Sequence, residues 1–84
     1  MEQLSELSQA PKEVTLGASC LTMVGQRELT IENHRGILEY SDTNLRIRVR
    51  SGLIRVSGAG LLIEYYSKEE IRISGRMKSI EYNG

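Results

Sequence analysis

The side chains that most often carry catalysis are scarce in this 84-residue chain, and their spacing builds no catalytic group. His34 is the one histidine, and no serine, cysteine or carboxylate lies at a spacing that predicts a dyad with it. We interpret it as a solvated residue of a turn. Cys20 is the one cysteine, and a free cysteine is usually a small buried hydrophobe unless a neighbour activates its thiolate. We therefore expect a protein that is not an enzyme.

Metal, cofactor and nucleotide sites have equally little support. One cysteine and one histidine could bind zinc only together with carboxylates or a second chain. The eight glycines form neither a P-loop nor a G-x-G-x-x-G motif, and Gly58-Ala59-Gly60 leads into a strand pattern rather than a helix. We expect no metal, no cofactor and no small-molecule substrate.

A run of arginines is the strongest local departure from an even composition. Residues 43–60 contain four arginines and no acid, although the whole chain has a formal net charge of zero. Arg46, Arg48 and Arg50 alternate with apolar residues, so on a strand they repeat every ~6.6–6.8 Å along one face. Together with Arg55 they are candidate partner-binding residues for a phosphate backbone, an anionic lipid or an acidic strand.

Two observations weigh against nucleic acid as the partner of these arginines. The chain has no Trp or Phe on which bases would stack, and its balanced charge is atypical of a nucleic-acid coat. A binding module for an anionic ligand, either nucleic acid or anionic lipid, nevertheless stays our second hypothesis. A plainer alternative is that the arginines pair across strands with Glu39, Glu64 or Glu70 and protect a sheet edge.

Apolar residues on both faces of one strand mark a second candidate surface. Leu61-Leu62-Ile63 is followed by two adjacent tyrosines, and adjacent strand residues point to opposite faces. Tyrosine is enriched at interfaces because its ring is apolar and its hydroxyl is polar. Leu62, Tyr65 and Tyr66 are therefore candidate partner-binding residues. We expect a homo-oligomer, which would also stabilise so small a core.

The elements that must position these residues are strands. Ile, Val and Thr together number sixteen while Ala numbers three, and β-branched residues suit a pleated sheet. Residues 1–11 lack alternation, which predicts a flexible or partly helical arm, whereas residues 12–84 alternate as a single β domain. The predicted strands cover nine segments: 13–16, 21–24, 28–32, 37–40, 45–50, 53–57, 61–66, 71–74 and 77–82.

Short links between these segments predict antiparallel pairing, because parallel strands need long crossovers. Asn33-His34-Arg35-Gly36 has the composition of a hairpin turn, and Gly58-Ala59-Gly60 and Gly75-Arg76 are expected to be further turns. We predict an all-β fold, an antiparallel meander of about seven to nine short strands curling into a small sandwich or open barrel. The period of eight to nine residues leaves a short β-solenoid as the alternative. The alternation is expected to place one set of residues in a common apolar layer: Leu29, Ile31, Leu38, Tyr40, Ile71, Ile73, Ile80 and Tyr82.

The location of the protein is predicted from what the chain lacks. No apolar run approaches the roughly 20 residues that span a bilayer. The N-terminal residues contain two glutamates, no lysine or arginine and no apolar core, unlike a secretory signal. We expect a cytoplasmic protein.

Several short motifs, taken in order, resemble the YabP/YqfC sporulation family of endospore-forming Firmicutes. The similarity covers about residues 12–82. The Glu-Asn-His-Arg-Gly run is closer to the YqfC branch than to YabP. The motifs that carry the resemblance are Leu21-Thr22-Met23-Val24-Gly25, Ile31-Glu32-Asn33-His34-Arg35-Gly36-Ile37-Leu38, Leu53-Ile54-Arg55-Val56-Ser57-Gly58, Glu69-Glu70-Ile71-Arg72-Ile73-Ser74-Gly75 and Ser79-Ile80-Glu81-Tyr82.

This resemblance implies a non-enzymatic protein that is needed for spore formation and acts in the mother cell. Family genes tend to lie beside genes for membrane-bound sporulation proteins, so a structural, assembly or adaptor role with such a partner is expected, peripheral to a membrane. The family has no assigned catalytic residues to transfer. Asn33, His34, Arg35 and Gly36 match its motif and are expected to form a turn whose tip docks a partner.

Overall fold

The described part of the chain is built entirely from β-strands. The computed structural model describes residues 2–3 and 11–84, and residues 4–10 of the predicted arm lie outside this description. No helix occurs in the described residues, so the predicted all-β fold is confirmed. The strands are β1 Glu2–Gln3, β2 Pro11–Leu16, β3 Ser19–Val24, β4 Glu28–Glu32, β5 His34–Tyr40, β6 Asn44–Val49, β7 Gly52–Tyr66 and β8 Glu70–Asn83.

All strand pairs described are antiparallel and belong to one sheet with the order β2-β3-β4-β8-β7-β6-β5. Strand β1 pairs with β8 at Tyr82 and Glu81. The sheet curls but does not close into a barrel, in agreement with the predicted open barrel. Its strands pair antiparallel in one sheet, so the alternative, a β-solenoid, is wrong. The order departs from a simple meander in one respect. Strand β8 lies between β4 and β7, so β4 and β5 are consecutive in sequence but do not pair.

Strands β7 and β8 are much longer than the sequence pattern predicts, at 15 and 14 residues. The turns expected at Gly58-Ala59-Gly60 and Gly75-Arg76 are wrong, because both strands run through these positions as one bent, bulged ladder. The bend requires glycine. Gly60 and Gly75 have φ of 62° and 127°, and a Cβ on Gly75 would lie 2.5 Å from the Gly60 carbonyl oxygen. Glycines of this kind change the direction of a strand without ending it.

The bend divides the sheet into two layers that enclose one core. Strands β2, β3 and β4 continue into residues 70–74 of β8 and 61–66 of β7, while β5 and β6 continue into residues 52–57 of β7 and 77–83 of β8. Alternation places one side chain in two between the layers. The buried apolar cluster comprises Leu16, Leu21, Met23, Leu29, Ile31, Leu45, Ile47, Val49, Ile54, Val56, Leu61, Ile71, Ile73, Met77 and Ile80.

Strand β5 is where the predicted faces fail. Leu38 and Tyr40, expected in the core, are 46% and 45% exposed. The register shifts between Ile37 and Glu39, so Leu38 is an unpaired bulge residue and the alternation of the strand is broken at that point.

In the described residues no helix is long and apolar enough to cross a bilayer.

Candidate interaction surfaces

The Asn33-His34-Arg35-Gly36 motif forms a corner rather than the predicted hairpin turn. Asn33 alone separates β4 from β5, with a left-handed φ of 64° that asparagine tolerates better than most residues. Its amide N–H donates to the Glu69 carbonyl and its Nδ2 donates to the Ala18 carbonyl at 2.9 Å. The Ser19 hydroxyl donates to the Asn33 carbonyl at 2.9 Å. These hydrogen bonds fix the corner, at which the chain passes from one layer of the sheet to the other.

His34 is buried in this corner, so its interpretation as a solvated turn residue is wrong. Only 6% of the residue is exposed. The Gly36 amide donates to Nδ1 at 2.9 Å, which places the imidazole proton on Nε2, and Nε2 donates to the Ser67 carbonyl at 2.8 Å. The ring also stands edge-on to Tyr66, with centroids 5.3 Å apart. The bond at Nδ1 therefore fixes the ring within the corner, and the bond at Nε2 holds the corner to the β7–β8 turn.

An open cleft of about 460 Å³ lies beside the corner. Two exposed cations, Arg35 and Lys68, face it, and within the described residues neither has a carboxylate within 4.0 Å. The structure thus brings the motif together with the end of β7. The residues lining the cleft are Asn33, His34, Arg35, Gly36, Tyr66, Lys68 and Glu69.

Strands β5 and β7 run beside each other without pairing. Two hydrogen bonds join Leu61 of β7 to the end of β5 and the turn that follows it. The Leu61 N–H donates to the Asp42 carbonyl at 2.9 Å, and the Leu61 carbonyl accepts from the Tyr40 hydroxyl at 3.2 Å. Beyond Leu61, no backbone hydrogen bond of the described chain joins residues 62–66 to β5. Two strand edges are therefore left open on this side of the domain.

Exposed apolar side chains are concentrated along these two edges. Of the six large hydrophobic residues exposed in the described chain, five lie here and each is between 45 and 53% exposed. The Arg72 guanidinium lies 5.6 Å from the centre of the Tyr65 ring. We name this set the seam surface: Leu38, Tyr40, Leu62, Tyr65 and Tyr66.

Sequence reasoning found Leu62, Tyr65 and Tyr66 but missed Leu38 and Tyr40. Their alternation with Glu39 is that of a core-facing strand, and the bulge that exposes them leaves no mark in the sequence. The structure brings the two groups together across the open edges.

Arg46, Arg48 and Arg50, which we name the arginine ladder, alternate with buried residues as predicted, but the positive charge of the ladder is partly neutralised. Leu45, Ile47 and Val49 of β6 are buried, while the arginines between them point outward. Arg46 Nε lies 2.8 Å from Glu39 Oε1, which confirms one predicted cross-strand pair. Arg55 lies 3.9 Å from Glu81. Arg48 and Arg50 are both exposed. Neither has a carboxylate within 4.0 Å in the described residues.

The other two glutamates proposed as partners of the ladder bind elsewhere. Glu64 accepts a hydrogen bond from the Ser74 hydroxyl at 2.6 Å, and Glu70 pairs with Arg72 at 3.1 Å. Both lie on the opposite layer of the sheet from β6. Pairing of the ladder with Glu64 or Glu70 is therefore wrong.

Cys20 lies half-buried on the outer side of β3, facing Glu13 on β2. Burial raises the pKa of the Cys20 thiol, and a hydrogen bond with Glu13 and the negative charge of that carboxylate raise it further. A raised pKa keeps the thiol protonated and lowers its nucleophilicity. No group of three His, Cys, Asp or Glu residues within the described ranges is arranged to hold a metal ion.

Comparison with known proteins places these features in a family. The pattern of the YabP family matches residues 15–84. The chain belongs to the YabP family. It is also 32% identical over 79 residues to the uncharacterized protein YqfC of Bacillus subtilis (strain 168), an alignment that covers 94% of this chain and 85% of that protein. No solved structure matches the chain.

The YabP match contains nearly the whole sheet. It begins within β2 and includes β3 to β8, the corner, the complete seam surface and all four arginines of residues 43–60. The resemblance inferred from the short motifs is thereby confirmed over most of the chain.

Proposed function

We propose that this YabP family member is a non-enzymatic structural or assembly protein of endospore formation that self-associates through the seam surface. The family resemblance supports the role in sporulation. The observation that supports the interface is that five of the six large hydrophobic residues exposed in the described chain lie along two open strand edges.

Open edges and exposed apolar side chains favour association for separate physical reasons. Unpaired backbone groups on an edge strand are a template for pairing with another chain. Removal of exposed apolar groups from water by a partner lowers the free energy of the system. A tyrosine side chain can be buried in this way with little loss of side-chain entropy. A second copy supplies both features at once, because every copy carries the same two edges.

The seam surface is also structurally prepared to be an interface. Tyr66 is held by the buried ring of His34, and Tyr40 is held by its bond to the Leu61 carbonyl. Such fixed aromatic side chains lose little freedom on binding, which favours affinity. The corner then serves to position the end of the interface, and this is the role we propose for the motif.

A membrane-bound sporulation protein is the second partner in this proposal. The resemblance supports it through the neighbouring genes of the family, and it would place the protein in the mother-cell cytoplasm at the surface of a membrane. The cleft with Arg35 and Lys68 supplies exposed cations beside the seam surface, where a partner segment would dock.

The self-association is tested by absolute mass in solution at high salt, for the wild type and two aspartate variants. Leu62→Asp places a charge in the seam surface and is expected to leave a monomer. Val24→Asp is the matched control, because Val24 is the sixth exposed hydrophobic residue, 42% exposed, and lies outside the seam surface. We expect Val24→Asp to keep the wild-type mass. Equal masses for all three proteins would contradict the seam surface as the interface.

Anion binding by the arginines is the alternative function, favoured by the exposed Arg48 and Arg50, neither of which has a carboxylate within 4.0 Å in the described part of the chain. Changing both to glutamine should then abolish binding to anionic vesicles or oligonucleotides, and rising salt should weaken wild-type binding. Failure of the wild type to bind either probe at low salt would remove this alternative.

A further inference from the structure

Charge is segregated on this protein even though its formal net charge is zero. Among the side chains that the structure describes, the outer side of the layer formed by β2, β3, β4 and the adjoining halves of β7 and β8 carries five glutamates and one arginine, Arg72. We name it the glutamate face. Its acids are Glu13, Glu28, Glu32, Glu64 and Glu70.

The outer side of the other layer has the opposite sign. Arg46, Arg48 and Arg55 point outward from β6 and β7, and Arg50 follows directly in the exposed turn. Among the described side chains, Glu39 and Glu81 are the acids that pair with these arginines on this side. We name the four arginines the arginine face. The side chains of both layers that point the other way form one common core, so the two faces lie on opposite sides of the molecule.

Each face holds two like charges directly opposite one another on neighbouring strands. Glu32 of β4 is the register partner of Glu70 of β8, and Arg46 of β6 is the register partner of Arg55 of β7. Like charges in this arrangement repel and destabilise a sheet. Glu39, Glu81 and Arg72 already reduce this repulsion at Arg46, Arg55 and Glu70. Glu32 is the member of the four that has no opposite charge within 4.0 Å in the described residues.

Each face includes exposed charges that have no ion-pair partner in the described part of the chain. In the described part of the chain, Glu32 has no cation within 4.0 Å and Arg48 has no carboxylate within 4.0 Å. Both side chains are exposed. The two faces are thus complementary in sign, and each has a free charge to offer.

We propose that the arginine face of one copy binds the glutamate face of the next copy. This contact is heterologous, because it joins two different surfaces of the same chain, and the faces point in opposite directions. Repeating such a contact adds copies along a line instead of closing a ring. The expected product is an open stack whose repeat is no shorter than the least extent of the molecule, 21 Å.

The stack rests on the proposed self-association and adds a second contact, which is tested at Arg48 and Glu32. The glutamate face adjoins the seam surface, because Arg72 lies on that face and contacts the Tyr65 ring. Glu32, however, is on β4, which β8 separates from Leu62 on β7. One apolar contact and one ionic contact on each copy would together build an extended assembly, which suits a structural protein. Salt separates the two contacts, because screening shortens the range of charge interactions from about 10 Å at 0.1 M to about 3 Å at 1 M. Apolar contacts are not weakened in this way.

The decisive test reverses the sign of one charge on each face. Mass is measured at 0.1 M and 1 M salt for Arg48→Glu, for Glu32→Lys, for their equimolar mixture and for the chain that carries both changes. Each single variant is expected to lose the salt-sensitive assembly, with at least about a tenfold rise in its dissociation constant, because it sets like charges against each other. The mixture and the double variant are expected to regain it, since each restores an acid opposite a base. Melting temperatures check that all variants fold.

The outcomes separate this proposal from the seam surface. A salt-sensitive assembly that is lost and regained as described supports the stack whatever Leu62→Asp does. An assembly that survives 1 M salt, is broken by Leu62→Asp and ignores the charge changes overturns the stack and leaves the seam surface standing. A wild-type monomer at both salts overturns both.

Discussion

Removing the His34 imidazole tests whether the corner is a structural joint. His34→Ala leaves two partly buried backbone groups, the Gly36 N–H and the Ser67 carbonyl, without their partners. An orphaned group of this kind costs about 1–3 kcal/mol, and loss of the edge-on contact with Tyr66 adds about 0.5–1.5 kcal/mol. Two such groups and the ring contact together give about 2.5–7.5 kcal/mol. Because both groups are only partly buried, we expect the free energy of unfolding to fall by an amount near the lower end, about 3–4 kcal/mol, a large share of the stability of a domain of this length.

Two conservative variants divide this loss between the hydrogen bonds. Asparagine can place an acceptor near the position of Nδ1 and so retain the Gly36 bond, while glutamine can place a donor near Nε2 and retain the Ser67 bond. His34→Asn and His34→Gln are each expected to recover about 1 kcal/mol relative to His34→Ala. The neighbouring Arg35→Ala, at an exposed position, is the control and should change stability by less than about 0.5 kcal/mol.

Urea unfolding followed by circular dichroism measures these differences, and amide exchange of Gly36 reports on its hydrogen bond directly. A His34→Ala protein as stable as Arg35→Ala would refute the account of the corner. A His34→Ala protein that keeps its fold and its assembly but loses its role in sporulation would instead revive a chemical function for the imidazole.

Two further changes probe the bend and the thiol. Gly58→Ala should destabilise the domain by about 3 kcal/mol or more, because its Cβ would overlap the Arg76 carbonyl oxygen of the paired strand, whereas Ala59→Ser at the exposed neighbour should be neutral. Alkylation of Cys20 by iodoacetamide should be slow at neutral pH and rise as the pH increases toward the raised pKa of the thiol, and Glu13→Gln should shift that profile to lower pH.

Each of these expectations has a clear contrary result. A Gly58→Ala protein that unfolds at the wild-type urea concentration would show that the two long strands can separate at the bend. Identical alkylation profiles with and without the Glu13 carboxylate would show that burial alone raises the pKa of the thiol.

Local alternation carried most of the structural prediction. Leu45, Ile47 and Val49 are buried and the arginines beside them point outward, as the period of two requires. The same rule identified Leu29, Ile31, Ile71 and Ile73 as core residues. These predictions succeed because the face of a strand residue depends on its immediate neighbours and on the presence of a single core.

Predictions that needed partners distant in sequence were the ones that failed. Gly58-Ala59-Gly60 has the composition of a turn, but the ladder between β7 and β8 continues through it, and only pairing with residues 76–77 shows this. His34 looked solvated, because the carbonyl of Ser67 and the ring of Tyr66, which bury it, lie more than 30 residues away in the chain.

The sequence by itself determined the strand-rich composition, the face on which most side chains lie and the family resemblance. Tertiary structure alone decided that β8 inserts between β4 and β7, that two edges stay open beside Leu62 and Leu38, and that acids and arginines collect on opposite sides of the core. The reason is that alternation is a property of neighbouring residues along one strand. The pairing order, the bulges and the segregation of charge depend on which strands meet, and that is settled by packing around the shared core.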